Sequence, residues 1–175
     1  MAILGIDDFK SKLTGGGARA NMFKVTVNFP AYAAGSSEQT SFMCKAASFP
    51  ASVIEPIEVP FRGRKLQIAG DRTFEPWSIT VMNDSEFSVR DAFERWSNGI
   101  NAHSANTGFT DPTDYSSDLI IEQLRRDGTT SKTVNVRGAW PSNIGAIEVS
   151  NESENTIEEF EVEFQITYWE ADTTS

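Results

Sequence analysis

The 175-residue chain is 39% hydrophobic and 23% charged. That balance suits a globular protein, and the length suits a single domain over residues 1–175 with a substantial core. A net charge of −10 argues against wrapped, tightly bound nucleic acid, because affinity for phosphates comes mainly from Lys and Arg. The single cysteine, Cys44, excludes an internal disulfide and fits a reducing compartment. No apolar run is long enough to span a membrane. The N-terminus lacks a basic segment followed by an apolar core, so no secretory signal is expected.

Residues 1–21 read as an arm. Ile6, Phe9 and Leu13 fall at helical spacing, and Gly15-Gly16-Gly17 ends the pattern with a flexible hinge. Such an arm either docks on a neighbouring subunit or frays. Residues 22–30 predict a strand, with Phe23, Val25, Val27 and Phe29 on one side. Residues 31–38 predict a turn. Residues 39–48 predict a second strand with Phe42, Cys44 and Ala46 on one face, which makes Cys44 a small core residue rather than a nucleophile.

Residues 53–69 predict a projecting hairpin with its tip at Arg62-Gly63. Pro56 and Pro60 lie in its first flank, and proline cannot donate to a ladder, so this flank is an edge or an arm. Gly70-Asp71 predicts a turn, followed by a strand in which Phe74, Trp77, Ile79 and Val81 alternate loosely with Thr73, Glu75, Ser78 and Thr80. A helix is predicted over 84–100. Asn83 to Glu86 has capping-box spacing, Asp84 and Ser85 are equally good caps, and Phe87, Val89, Ala92, Phe93, Trp96 and Ile100 form an apolar stripe.

Residues 101–117 predict a long polar loop holding the sole histidine, His103. Residues 118–126 and 131–137 predict a second hairpin around Asp127-Gly128, followed by a tight bend from Gly138 to Gly145. The clearest strand covers 157–169. Phe160, Val162, Phe164, Ile166 and Tyr168 make one face, and Glu159, Glu161, Glu163, Gln165 and Thr167 make the other. This strict period of two fixes the register. Nine acidic residues and no basic ones lie between Glu148 and Asp172, so the polar face is a negative wall.

No catalytic constellation is present. There is no GxSxG elbow, P-loop, HExxH, CxxC or EF-hand loop. One histidine and one cysteine leave little scope for metal or nucleophilic chemistry, so no enzyme activity, cofactor or metal is expected. The basic cluster Arg62-Gly63-Arg64-Lys65 is short and isolated in an acidic protein, which favours a protein contact over nucleic acid. The pattern as a whole predicts a mainly β fold, a sandwich or barrel of antiparallel sheets with one helix packed on it.

Three ordered blocks add to this reading. They are Gly70-Asp71-Arg72-Thr73-Phe74 with Trp77 and Val81-Met82-Asn83-Asp84; Gly138-Ala139-Trp140-Pro141-Ser142-Asn143-Ile144-Gly145; and Tyr168-Trp169-Glu170. With Phe42-Met43-Cys44-Lys45-Ala46 and Phe49-Pro50, they resemble the tail tube proteins of contractile-tailed bacteriophages over roughly residues 20 to 170.

The resemblance implies two packed antiparallel sheets with a flanking helix. It also implies hexameric rings whose inner sheets join as one barrel, stacked into a tube inside a contractile sheath and open to DNA during ejection. Implied partners are further copies of the chain, the sheath, the baseplate and the tail terminator, in a virion assembled in the host cytoplasm. Arg62, Arg64 and Lys65 with Val59, Phe61 and Leu66 are then candidates for stacking between rings. Glu159, Glu161 and Glu163 are candidates for the lumen, and Ile6, Phe9 and Leu13 for a docking arm. Two alternatives remain open. One is the tube of a phage-derived injection or secretion system carrying protein cargo. The other is a β-sandwich carbohydrate-binding module using Trp77, Trp96, Trp140 and Trp169.

Overall fold

In a computed structural model describing residues 5–174, nine strands form two packed antiparallel sheets and a separate hairpin. Residues 1–4, the first part of the expected arm, lie outside the described residues. One sheet pairs β1 (Phe23–Val27), β6 (Ser117–Leu124), β7 (Thr130–Ile144) and β9 (Tyr168–Ala171). The other pairs the far half of β7 with β8 (Glu159–Gln165), then β5 (Trp77–Met82), then β2 (Cys44–Ala47). β3 (Ser52–Phe61) and β4 (Arg64–Phe74) pair only with each other.

β7 is the hinge of this architecture. It spans 15 residues and belongs to both sheets, so the expected bend at 138–145 is instead continuous strand. Irregular register near Ala139 and between Pro141 and Asn143 lets it change sheets. Arg137 braces the crossing. Its guanidinium reaches Asp118 on β6 (2.6 Å) and Glu170 on β9 (2.6 Å), and these two bonds, Asp118 first, raise its pKa further.

The core lies between the sheets. Val25, Val27, Leu119, Ile121, Val134 and Val136 face Trp77, Ile79, Val81, Phe160, Val162 and Phe164. Helix α3 (Ser88–Ile100), numbered after α1 (Ile6–Lys12) and α2 (Ser37–Met43), closes one side with Val89, Ala92, Phe93 and Trp96. Phe93 and Trp96 pack with Phe29, Phe160 and Phe164 at ring separations of 5.0–6.4 Å. Offset and edge-on contacts of this kind add to plain burial.

Several boundaries differ from the expected ones, each for a local reason. The predicted strand 39–48 begins as α2, because the Ser36 hydroxyl accepts from the Gln39 N–H and caps it. Phe42 consequently points to solvent, and only Cys44–Ala47 is strand. Burial pushes the Cys44 thiol up to about 11, so it is a poor nucleophile at neutral pH.

Gly70-Asp71 is not a turn. Gly70 lies inside β4, where a Cβ would sit 2.5 Å from the Glu55 carbonyl oxygen at the irregular step of β3. The hairpin therefore runs from 52 to 74, and the break before β5 comes at Glu75-Pro76. α3 starts at Ser88 rather than 84, because Phe87 adopts a left-handed conformation (φ 57°) and is exposed. Asp84 accepts from the Ser88 hydroxyl (2.5 Å), the main reason its carboxyl is held below the usual range. The strand predicted at 157–169 is two strands interrupted at Ile166-Thr167, and Tyr168 is exposed. The loop 101–117 contains one short helix, α4 (Pro112–Tyr115).

Candidate functional site

The hairpin is the most conspicuous surface of the subunit. Arg62 (φ 47°) and Gly63 (φ 81°) form its two-residue tip, the positive-φ pair that matches the twist of a tight hairpin. Its cross-strand register sorts the side chains. Ile57 faces Ile68, Val59 faces Leu66 and Phe61 faces Arg64, while Pro56 faces Ala69, Glu58 faces Gln67 and Pro60 faces Lys65. Because facing pairs share a side, one side of the ribbon is a row of Ile57, Ile68, Val59, Leu66 and Phe61 ending at Arg64, and the other mixes Pro56, Ala69 and Pro60 with Glu58, Gln67 and Lys65. All five apolar residues are exposed, Phe61 to 66%.

An isolated two-stranded ribbon is marginal in water, and this one is tied down only at its base. Trp169 Nε1 donates to the Ala51 carbonyl (3.2 Å) and the Trp169 ring packs edge-on against Phe74. Among the tip cations, Lys65 is engaged with Glu58 (2.6 Å), while Arg62 lies over the Phe61 ring at 5.2 Å. Arg62 and Arg64 make no ion pair among the described residues.

The expected acidic face is the outer face of the second sheet. Phe160, Val162 and Phe164 turn inward, so Glu159, Glu161 and Glu163 turn outward. There they stand opposite Met82, Thr80 and Ser78. Lys45 pairs with Glu159, and Glu163 accepts from the Ser142 hydroxyl (3.3 Å). Glu161 has no partner among the described residues. The third candidate, the arm, forms α1. Ile6 and Phe9 are 71% and 63% exposed and Leu13 is also exposed, so the apolar stripe of this helix stays open among the described residues.

Four tryptophans were candidates for stacking on sugars. Trp77 and Trp96 are instead buried in the core, where their indoles donate to the Ser48 and Tyr115 carbonyls. Trp140 packs edge-on against Tyr115, and Trp169 anchors the hairpin.

The apolar row of the hairpin is exposed on the subunit, and sequence comparison identifies the family. A family profile described as phage tail tube protein matches residues 18–172. The chain belongs to the phage tail tube protein family. It is 35% identical over 154 residues to the tail tube protein gp19 of Enterobacteria phage T4, covering 87% of this chain and 91% of that one.

The tube fold extends further in structure. The chain matches a chain in the structure of the anti-feeding prophage cap with a TM-score of 0.66 and 17% identity, over 91% of this chain and 92% of the other. It matches a chain of the sheath-tube complex of an extracellular contractile injection system with a TM-score of 0.61 and 16% identity, over 93% and 95%. The family match starts after α1, so that helix is outside the part that carries it.

Sequence reasoning located the hairpin and the acidic row. Of the apolar row, Val59, Phe61 and Leu66 are legible as contact candidates and Ile57 and Ile68 are not, because the bulge at Glu55 and the length of β4 set which residues share a side. The alternation Ile57, Val59, Phe61 was the available signal.

Proposed function

We propose that this chain is the structural subunit of the inner tail tube of a contractile-tailed phage. Hexameric rings would stack into a conduit for DNA, assembled in the host cytoplasm and bounded by sheath, baseplate and terminator. The role is structural rather than catalytic. Family membership supports the class, and the hairpin is the observation that carries the mechanism. It offers five apolar side chains on one side of a ribbon that cannot bury them within the subunit. Burying a large apolar side chain contributes about 1.5–3 kcal/mol, so this row would hold one ring to the next, with Arg62, Arg64 and Lys65 at its tip. The injection-system reading shares the fold, but the 35% identity to a phage tube protein favours DNA cargo.

Glu159, Glu161 and Glu163 would line the lumen. They project from the outer face of the second sheet, and repeated around a ring they would present a negative wall to a moving polyanion. At physiological salt such charges act over about 8 Å, enough to keep DNA from adhering. Replacing all three by lysine should create salt-sensitive DNA binding through counterion release. Phage carrying the triple change should assemble tails but eject DNA poorly. Normal ejection through assembled mutant tubes would place these residues away from the lumen, and failure to assemble would place them against a neighbour.

The arm would dock through Ile6, Phe9 and Leu13 on an adjacent subunit. Deleting residues 1–14 should leave the body folded, since α1 touches none of the core, and raise the protein concentration needed for assembly. Polymerisation as ready as that of the full chain would make the arm a frayed end.

A further inference from the structure

The subunit carries opposite charge at its two ends. β7 has a contour length of about 50 Å at 3.3 Å per residue, and β6, β8 and β9 are registered to it. At its start, the β6–β7 turn carries Arg125 and Arg126. The chain entering β1 meets this turn, because Gln123 Nε2 donates to the Arg19 and Met22 carbonyls at 2.8 and 2.7 Å. Gly15–Gly17, Arg19, Arg125 and Arg126 thus line a groove of ≈ 620 Å³. Asp127 lines it too, its carboxylate hydrogen-bonded by the Thr129 N–H and hydroxyl (3.0 and 2.6 Å) and close enough to Arg125 to feel its charge, so three arginines stand against one carboxylate. None of the three arginines is within 4 Å of a carboxylate among the described residues.

The hairpin base is pinned to Trp169, which pairs with Val136 near the middle of β7, and its tip carries Arg62 and Arg64. At the opposite end of β7 the chain passes into the loop 145–158. That loop holds Glu148, Glu152, Glu154 and Glu158 with no basic residue, and exposes Val149 and Ile157.

We propose that the acidic loop 145–158 of one copy docks into the basic groove formed by Arg19, Arg125 and Arg126 of the next copy, making the stack head-to-tail. The occupant is identified by charge and by place. It is the acidic, partly apolar segment that the longest strand holds at the far end of the molecule. A heterologous contact of this kind does not close on itself and so propagates as a filament. Like ends repel, so rings stack in one direction only, and this adds polarity to the apolar grip of the hairpin. The inference rests on the tube reading.

The test is a charge swap in the full chain, at low salt and viewed by negative-stain electron microscopy. Arg125→Glu with Arg126→Glu should lose tubes and keep single rings. Glu152→Arg with Glu154→Arg should do the same. All four changes in one chain should restore tubes, because the attraction is re-formed with its sign exchanged. Circular dichroism checks the fold, which these exposed positions should leave unchanged. Tubes of wild-type length from either pair alone would overturn the inference, as would a four-fold variant that remains as rings. In both cases the tube reading would stand. Wild-type protein that forms no rings under any condition would overturn both.

Discussion

Trp96→Ala is expected to lower the stability of the isolated subunit by about 3–5 kcal/mol, the range for removing a large aromatic from a packed core. Trp96 is completely buried on α3, among Phe29, Phe93 and Phe164. Its indole N–H donates to the Tyr115 carbonyl (2.6 Å), so truncation also removes the donor from a part-buried acceptor. Against a typical total of about 5–15 kcal/mol, that is a large fraction of the stability. Trp140→Ala, at a half-buried position, should cost distinctly less. Urea unfolding of dilute subunits compares the two. A loss below about 1 kcal/mol for Trp96→Ala would mean that α3 does not close the core.

Val59→Asp with Leu66→Asp is expected to leave folded subunits that form rings and stop there. The two residues face each other across the ribbon and touch nothing in the body, so the fold should survive. Stacking would then have to desolvate two carboxylates in an apolar joint, which is costly without partners. Arg62→Glu with Arg64→Glu should act in the same direction but more weakly. An exposed ion pair is worth about 0.2–1 kcal/mol, whereas each apolar side chain contributes about 1.5–3. Raising the salt should therefore shorten wild-type tubes less than the aspartate pair does. Tube length by electron microscopy ranks the variants, with circular dichroism confirming the fold. Aspartate-pair tubes of wild-type length would show that the apolar row faces solvent in the assembly.

The elements that were legible from sequence are those whose pattern is set by burial alone. Val25 and Val27, the Phe160-Val162-Phe164 alternation and the stripe of α3 each read directly as core positions, because a one-residue slip would bury charge. Positions decided by backbone chemistry were less legible. Phe42 looked like a strand residue because the helix around it depends on a single cap at Ser36. Gly70 looked like a turn because glycine marks both tight turns and close approaches, and only the carbonyl of Glu55 tells them apart.

Gly138 to Gly145 looked like a bend because two glycines and a proline suggest interruption. In the fold they let β7 pass from one sheet to the other. Of the candidate surfaces, the hairpin and the glutamate row were visible as sequence. The opposition of charged ends was not, since Arg19, Arg125 and Arg126 come together only through the pairing of β1 with β6.

Negative-stain electron microscopy of the purified full-length protein over a range of concentrations tests the assembly most directly. Rings of uniform diameter that lengthen into hollow tubes as concentration rises are the expected result. Particles that stay single subunits at every concentration, with the fold intact by circular dichroism, would contradict a self-assembling tube.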